Sequence, residues 1–150
     1  LTTISAVING GTMITPHFGV SISDTETQKK INIRYTSKKN VISKETSDVM
    51  KNVLETVVSE GGGKKAAIEG YKVGAKTGTS EKLPRRSGKY IASCMGFAPA
   101  QNPKVIALVL IDEPSGIYYG GTIAAPVISK LLDDILPYVD GKEDYGYSGN

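Results

Sequence analysis

The stretch Lys76-Thr77-Gly78-Thr79 combines one cation, two hydroxyls and a residue that has no side chain. Residues 70–75, which precede it, lack helical periodicity and predict a β-strand that carries these four residues toward a charged loop. In a strand, Lys76 and Gly78 point to one face and Thr77 and Thr79 to the other. On an edge strand, the missing side chain at Gly78 would let an extended peptide approach the backbone and pair with it.

The chemistry available to this strand is recognition of a carboxylate. Lys76 would set a positive potential, and the hydroxyls of Thr77 and Thr79 could donate hydrogen bonds to a peptide acid. A phosphate loop is disfavoured, because Ala75 separates Gly74 from the lysine and the segment continues a strand instead of opening a helix. Taken alone, the four residues also fit a solvated strand end that runs into a turn.

The bulk composition is that of an ordinary globular protein. The chain has 150 residues, 39% of them hydrophobic, and a net charge of +3, which fits one domain or a large part of one. Its basic residues are scattered in short polar pairs, and no basic stripe interleaved with aromatics predicts a nucleic-acid partner. No apolar run approaches the length of a membrane span.

The single cysteine and the single histidine do not form an expected pair. Cys94 lies in an apolar run, which predicts a buried, inert thiol. His17 follows Pro16 and has no second histidine or nearby cysteine in sequence, so we interpret it as a packed or surface side chain. No metal or cofactor is expected from either residue.

Two further polar pairs allow a functional or a structural interpretation. Asp112-Glu113 could be a carboxylate pair for acid–base catalysis, but its position directly before Pro114 at a strand end favours a turn. Tyr118-Tyr119 could bind a sugar, although packing of the loop beside the strand edge is the favoured interpretation.

Several elements must position these residues. A helix over residues 1–8 should stop at the glycines after Asn9, and residues 20–23 and 31–35 predict a hairpin of half-buried strands. Ser43 is the expected N-cap of a helix whose apolar stripe is Val49, Met50, Val53, Leu54, Val57 and Val58.

The second half of the chain predicts the sheet. Strands are expected over residues 90–97 and 105–111, the latter central and covered on both faces because it is apolar throughout. Short links make neighbouring strands antiparallel. A last helix has Pro126 near its start and a stripe of Ala124, Val127, Ile128, Leu131, Leu132 and Ile135. The predicted fold class is therefore α+β, with an antiparallel sheet flanked by helices.

The order of several short segments carries a family resemblance. These segments are Asn9-Gly10-Gly11, Thr15-Pro16-His17, residues 68–79, residues 87–93, Gly96-Phe97-Ala98-Pro99-Ala100, Ile111-Asp112-Glu113-Pro114 and Tyr118-Tyr119-Gly120-Gly121. With them the chain resembles the C-terminal half of the transpeptidase domain of a class B penicillin-binding protein, in the stage V sporulation and cell-division transpeptidase branch. The likeness covers residues 1–138 and leaves residues 139–150 as an expected flexible tail.

The resemblance implies a β-lactamase/DD-transpeptidase-like fold, with a five-stranded antiparallel sheet that has helices on both sides. It also implies acyl transfer from the D-alanyl-D-alanine end of a peptidoglycan stem peptide by a serine, which β-lactams acylate as well. On this sequence, Lys76 matches a catalytic lysine that raises the potential and helps relay protons. Thr77 and Thr79 match the groups that bind the terminal carboxylate. The N–H of Thr79 matches an oxyanion-hole donor, and Gly78 keeps the edge open.

The sequence departs from the family at its nucleophile. No Ser-x-x-Lys occurs in the chain, and Thr27-Gln28-Lys29-Lys30 and Thr36-Ser37-Lys38-Lys39 only approximate it. The tail segment Ser148-Gly149-Asn150 has the letters of the family's Ser-x-Asn motif, but at the wrong end of the chain. An opening helix without a first turn also predicts that the missing N-terminal half of the same domain supplies the nucleophile.

The resemblance leaves alternatives for partners and function. It implies stem peptides and β-lactams as ligands, a cell-wall glycosyltransferase as a protein partner, and the extracytoplasmic face of the membrane as the location. A β-lactamase or β-lactam sensor would share the lysine motif. A half-domain that binds a peptide or partner without catalysis is the alternative of a different class.

Overall fold

The computed structural model describes residues 1–141. Contacts within the chain divide it into two units, Leu1–Asp48 and Val49–Asn150. Most of the predicted tail, residues 142–150 with Ser148-Gly149-Asn150, lies outside the described residues. Among residues 1–141, no helix combines the length and the apolar character needed to cross a bilayer.

The first unit holds one short helix and two small antiparallel ribbons. Helix α1 spans Thr2–Ile8, and the strands are β1 (Met13–Ile14), β2 (Ser21–Ser23), β3 (Lys30–Asn32) and β4 (Ser37–Lys38). Strand β1 pairs with β4 and β2 with β3, which confirms the predicted hairpin. The prediction that its strands are half-buried is wrong. Ile22 and Ile31 lie opposite each other with 63% and 56% of their surface exposed, because no further layer of the first unit covers this two-stranded ribbon.

The predicted glycine stop of α1 is confirmed. Gly10 and Gly11 have φ angles of +86° and +89°, a region that favours glycine. A Cβ atom on Gly11 would also lie 2.1 Å from the backbone oxygen of Ile42. The N–H of Gly10 donates to the buried Ser47 Oγ at 3.0 Å, so the turn is held by one side chain and by lack of space for another.

Helix α2 spans Lys44–Ser59, and its predicted N-cap is confirmed because Ser43 Oγ accepts the N–H of Thr46 at 3.1 Å. Its apolar stripe is narrower than expected. Leu54 and Val58 are buried, whereas Val49 and Val53 are 60% and 49% exposed. The buried residues lie four positions apart and form one line along the helix.

The second unit is built on a three-stranded antiparallel sheet in the order β5-β6-β7. Strands β5, β6 and β7 span Gly74–Glu81, Tyr90–Ala98 and Val105–Asp112. The antiparallel prediction is confirmed, but β5 begins four residues later than expected, after an isolated bridge between Ile68 and Tyr71.

The prediction that the third strand is central and covered on both faces is wrong. Strand β6 is central, and β7 is an edge strand of the sheet in the described part of the chain. Val109 and Ile111 pack against the core, while Leu108 and Leu110, on the other face, are 43% and 62% exposed. An apolar run on both faces therefore does not require a cover on both faces.

Two helices pack on this sheet: α3 (Gly120–Ile123) and α4 (Ala125–Val139), the latter with Pro126 in its first turn as predicted. Ile128, Leu132 and Leu136 of α4 are fully buried. Val127 and Leu131, predicted for the same stripe, are 46% and 39% exposed, because they lie to one side of the buried line.

The helix approaches the sheet closely at a glycine. A Cβ atom on Gly96 of β6 would lie 2.3 Å from Ile128 Cγ2. The core of the unit combines residues from both layers, and its members are Val58, Ala66, Ile68, Val73, Ala75, Cys94, Ala98, Ala124, Ala125, Ile128, Leu132 and Leu136. The α+β fold class with helices packed on an antiparallel sheet is confirmed.

Candidate functional site

Strand β5 brings the four predicted site residues together at an open sheet edge. It pairs with β6 on one side, with Gly78 opposite Ser93 and Thr79 opposite Ala92. No strand pairs with its other side among residues 1–141. Lys76 and Thr79 are exposed, and the two residues between them are partly buried. The strand is therefore an edge strand of the described sheet, which meets the condition that the approach of a peptide requires.

The pleat of β5 separates the site residues onto two faces. Gly78 shares a face with Ser93, since a Cβ atom on Gly78 would lie 2.6 Å from Ser93 Oγ. Thr79 lies on the opposite face, where its Oγ1 accepts the backbone N–H of Gly120 at 3.1 Å. Lys76 shares the first face and Thr77 the second, because side chains alternate along a strand.

The ammonium group of Lys76 remains close to the strand. Its Nζ donates to the backbone oxygen of Thr77 at 2.5 Å, and the side chain is exposed. The positive charge therefore lies along the same short segment as the two threonine hydroxyls.

Gly78 has a second role that the sequence does not reveal. The sequence predicts that the missing side chain admits an approaching peptide, and in the structure Ser93 Oγ also occupies the neighbouring space. A larger residue at position 78 would displace that cross-strand hydroxyl.

Gly120 is a site neighbour that sequence reasoning missed. Its contact with Thr79 joins residues 41 positions apart, a pairing that local periodicity does not report. The available signal was the Gly120-Gly121 pair after two tyrosines, which the sequence analysis used only as a mark of resemblance.

The single cysteine, Cys94, is buried. Burial raises the pKa of its thiol to about 11, although the nearby charge of Lys76 acts in the opposite direction. A thiol with this pKa is almost entirely neutral at pH 7, so the predicted inert role agrees with the structure.

His17 lies in the first unit as an exposed side chain that packs on an aromatic ring, which agrees with its interpretation as a packed or surface residue. It stacks on Tyr35 with ring centroids 3.7 Å apart, and its Nδ1 lies 2.7 Å from the backbone oxygen of Thr15.

Asp112 and Glu113 form an ion-paired turn. Lys82 Nζ lies 2.9 Å from an oxygen of Asp112 and 2.7 Å from one of Glu113, and Lys89 lies 3.0 Å from the other oxygen of Glu113. Hydrogen bonds from Lys82, and then from Lys89, lower the pKa of Glu113. These contacts support the turn interpretation over acid–base catalysis.

The tyrosine pair packs beside the strand ends. Tyr118 stacks on Tyr90, the first residue of β6, with centroids 4.0 Å apart, and its centroid lies 4.7 Å from that of Tyr119. This is the loop packing that the sequence analysis favours.

Residues 1–133 match the family model of the penicillin binding protein transpeptidase domain. Stage V sporulation protein D of Bacillus subtilis is 44% identical over 141 residues, which is 89% of this chain and 22% of that protein. The peptidoglycan D,D-transpeptidase FtsI of Buchnera aphidicola subsp. Baizongia pistaciae is 41% identical over 111 residues, or 71% of this chain and 19% of that protein.

The chain is also similar to a solved structure. The D,D-transpeptidase domain of a peptidoglycan glycosyltransferase from Eggerthella lenta has a TM-score of 0.76 and 27% identity, covering 95% of this chain and 32% of that one. The chain thus spans about a fifth of the length of these curated relatives, 22% and 19%.

Proposed function

Because the chain belongs to the family of penicillin-binding protein transpeptidase domains, we propose that it is part of a serine DD-transpeptidase that cross-links peptidoglycan stem peptides. A serine hydroxyl attacks the carbonyl between two D-alanines, the terminal D-alanine leaves, and the amine of a second stem peptide resolves the acyl-enzyme. The nucleophile is placed outside these residues, since they contain no Ser-x-x-Lys.

The observation that carries the proposal is the open edge of β5 with an exposed lysine and two threonines on it. An extended peptide can add to such an edge by backbone hydrogen bonds. The role of this chain is then to hold the C-terminal end of the stem peptide, while the serine attacks the preceding carbonyl.

The direction of the backbone groups supports an oxyanion role for Thr79. In an antiparallel edge strand, alternate residues turn their N–H and C=O toward the partner and toward the open side. Lys76 Nζ donates to the oxygen of Thr77, which indicates that Thr77 turns its backbone groups to the open side. Thr79 lies two residues further along the strand, so its backbone groups face the same side. Its N–H is the proposed donor to the developing oxyanion, a type of contact worth about 3 kcal/mol in acyl transfer.

The side chains supply recognition of the terminal carboxylate. The hydroxyls of Thr77 and Thr79 donate to its oxygens, and the ammonium of Lys76 stabilises the negative charge and helps relay protons. Gly78 leaves the strand free of a side chain between them. β-Lactams carry a carboxylate next to a reactive amide, so they are the proposed inhibitors at the same edge.

The remaining partners follow from the same assignment. Peptidoglycan lies outside the cytoplasm, so the extracytoplasmic face of the bacterial membrane is the proposed location. A glycosyltransferase of the cell-wall machinery is the proposed protein partner, because new glycan chains must be polymerised before they are cross-linked.

The test is covalent labelling of the full-length protein with a fluorescent penicillin. A stable, stoichiometric adduct on a serine supports the transpeptidase. Rapid turnover of the penicillin would instead identify a β-lactamase, and absence of any adduct from folded protein would favour a peptide-binding module without catalysis.

A further inference from the structure

The first turn of α3 touches the candidate site directly. The backbone N–H of Gly120 donates to Thr79 Oγ1 at 3.1 Å. Gly120 is buried, whereas Thr79 is exposed at the open edge of β5. The contact therefore joins a fixed backbone donor to a side chain at the proposed substrate edge.

Gly120 reaches this position because it has no side chain. A Cβ atom there would lie 2.2 Å from the oxygen of Ser93 and 2.3 Å from the oxygen of Gly78. Both are backbone atoms of paired strands, which cannot move aside without breaking the sheet. The requirement is one of space, and any larger residue would lift the N–H away from Thr79.

The hydrogen bond fixes what the Thr79 hydroxyl can do. A hydroxyl has one hydrogen to donate and two lone pairs to accept with. Because the N–H of Gly120 occupies a lone pair, the hydroxyl hydrogen is free for another partner, and among residues 1–141 this accepted bond is the one hydrogen bond of Thr79 Oγ1. A carboxylate at the open edge would complete the arrangement through a charge-assisted bond.

The neighbouring glycine lies close to the second threonine. A Cβ atom on Gly121 would lie 3.5 Å from Thr77 Cγ2, so the methyl group of Thr77 faces α3.

We infer that Gly120 is a positioning residue of the site, whose backbone N–H turns the hydroxyl hydrogen of Thr79 toward the carboxylate of the acyl donor. This inference rests on the proposed function. It adds a residue from α3, outside the Lys-Thr-Gly-Thr segment, to the determinants of carboxylate recognition.

The experiment measures carboxylate selectivity in the full-length protein. Second-order acylation rates are determined for benzylpenicillin and for its methyl ester. The readout is the selectivity ratio, the rate for benzylpenicillin divided by the rate for the ester. Gly120→Ala should lower this ratio about tenfold, the effect of one misaligned hydrogen bond to a charged group. A general loss of structure would slow both ligands alike and leave the ratio unchanged.

Gly96→Ala is the matched control. It also forces a methyl group into a tight contact of the same sheet, against Ile128 Cγ2, but it does not touch Thr79. We expect it to lower the melting temperature without changing the selectivity ratio. An equal fall of the ratio in both variants would overturn the inference.

A double-mutant cycle separates action through Thr79 from an independent effect. Thr79→Val removes the hydroxyl and keeps the shape of the side chain. If Gly120 works through that hydroxyl, adding Gly120→Ala to Thr79→Val should lower the ratio no further. If the double variant instead shows the product of the two single losses in the selectivity ratio, the inference is contradicted.

If Gly120→Ala does not fold, Thr79→Ser takes its place. Serine keeps the acceptor for the Gly120 N–H, so the selectivity ratio should remain within about threefold of that of the unmodified protein. In Thr79→Val, which lacks the acceptor, the ratio should fall further. Equal losses in Thr79→Ser and Thr79→Val would overturn the inference.

The two proposals fail in different ways. Unmodified protein that is folded but never acylated removes the proposed function and this inference with it. Normal acylation with an unchanged ratio in folded Gly120→Ala removes the inference alone.

Discussion

Single side chains at the edge of β5 have proposed roles in the chemistry that are separate from their contributions to stability. Lys76 is exposed and hydrogen-bonds to the oxygen of its neighbour Thr77, so its charge is not compensated by a buried partner. Its removal should alter the chemistry of the site far more than the fold.

Lys76→Ala in the full-length protein is expected to slow acylation by a fluorescent penicillin about a hundredfold or more, because a preorganised charge is lost. The stability should change by less than about 1 kcal/mol, since the side chain is exposed. Lys72→Ala, an exposed lysine just before the strand, is the control and should leave both quantities unchanged. Loss of folding in Lys76→Ala would mean that the residue is structural.

Cys94 illustrates the opposite case, a reactive group kept inert by burial. Its pKa of about 11 against an ordinary value of 9.0 means that between these values the thiol ionises in the unfolded chain but not in the native one. The contribution of this thiol to the free energy of unfolding is thus fully present below pH 9 and is lost as the pH rises through about 11.

Alkylation of Cys94 by iodoacetamide should accordingly be slow in native full-length protein at pH 8 and fast after unfolding. Mass spectrometry of the peptide of residues 90–104 measures the modified fraction, with glutathione at the same pH as the reference thiol. Native labelling as fast as that of glutathione would show that the thiol is accessible.

At the scale of elements, packing is concentrated on one line of α4. Leu132 is fully buried against the sheet while its neighbour Leu131 is 39% exposed. The sequence predicts one broad apolar stripe, because periodicity identifies apolar residues but not how far the sheet extends beneath them.

Leu132→Ala should therefore destabilise the full-length protein by about 2–5 kcal/mol through the cavity it leaves. Leu131→Ala should cost less than about 1 kcal/mol. Calorimetric melting of both variants measures the difference, and similar losses would mean that the outer face of α4 is covered as well.

The strands show the same limit of local reasoning. The sequence correctly predicts β5, β6 and their antiparallel pairing, because alternation and short links are local signals. The edge position of the Lys-Thr-Gly-Thr residues entered only as a condition and through the family resemblance. It misplaces β7 as the central strand, since an apolar run records the character of side chains and not the order of strands. The contact between Gly120 and Thr79 depends on tertiary packing, which explains why no local pattern indicated it.

At the scale of the molecule, the 150 residues hold the proposed substrate edge but no Ser-x-x-Lys nucleophile. They match residues of relatives that are several times longer, with 22% of stage V sporulation protein D covered. The proposed function therefore places substrate binding and bond breaking in different parts of one protein.

The 150-residue chain alone should form no covalent adduct with a fluorescent penicillin, because the attacking serine is absent. Intact-mass spectrometry after incubation checks this, with the full-length protein as the positive control. A stoichiometric adduct on the isolated chain would require an unrecognised nucleophile within it.

The pairing of β5 with β6 also dictates where this chain can change length. Inserting or deleting one residue between Gly74 and Lys76 would exchange the two faces of the strand. The lysine would then point beneath α3, and both threonines would point away from it. The N–H of Lys82 donates to the oxygen of Lys89 and closes the pairing of the two strands, so the connection of residues 83–88 lies beyond it and carries no such parity. Natural variation in length should thus accumulate in that connection and be absent from the strand before the lysine.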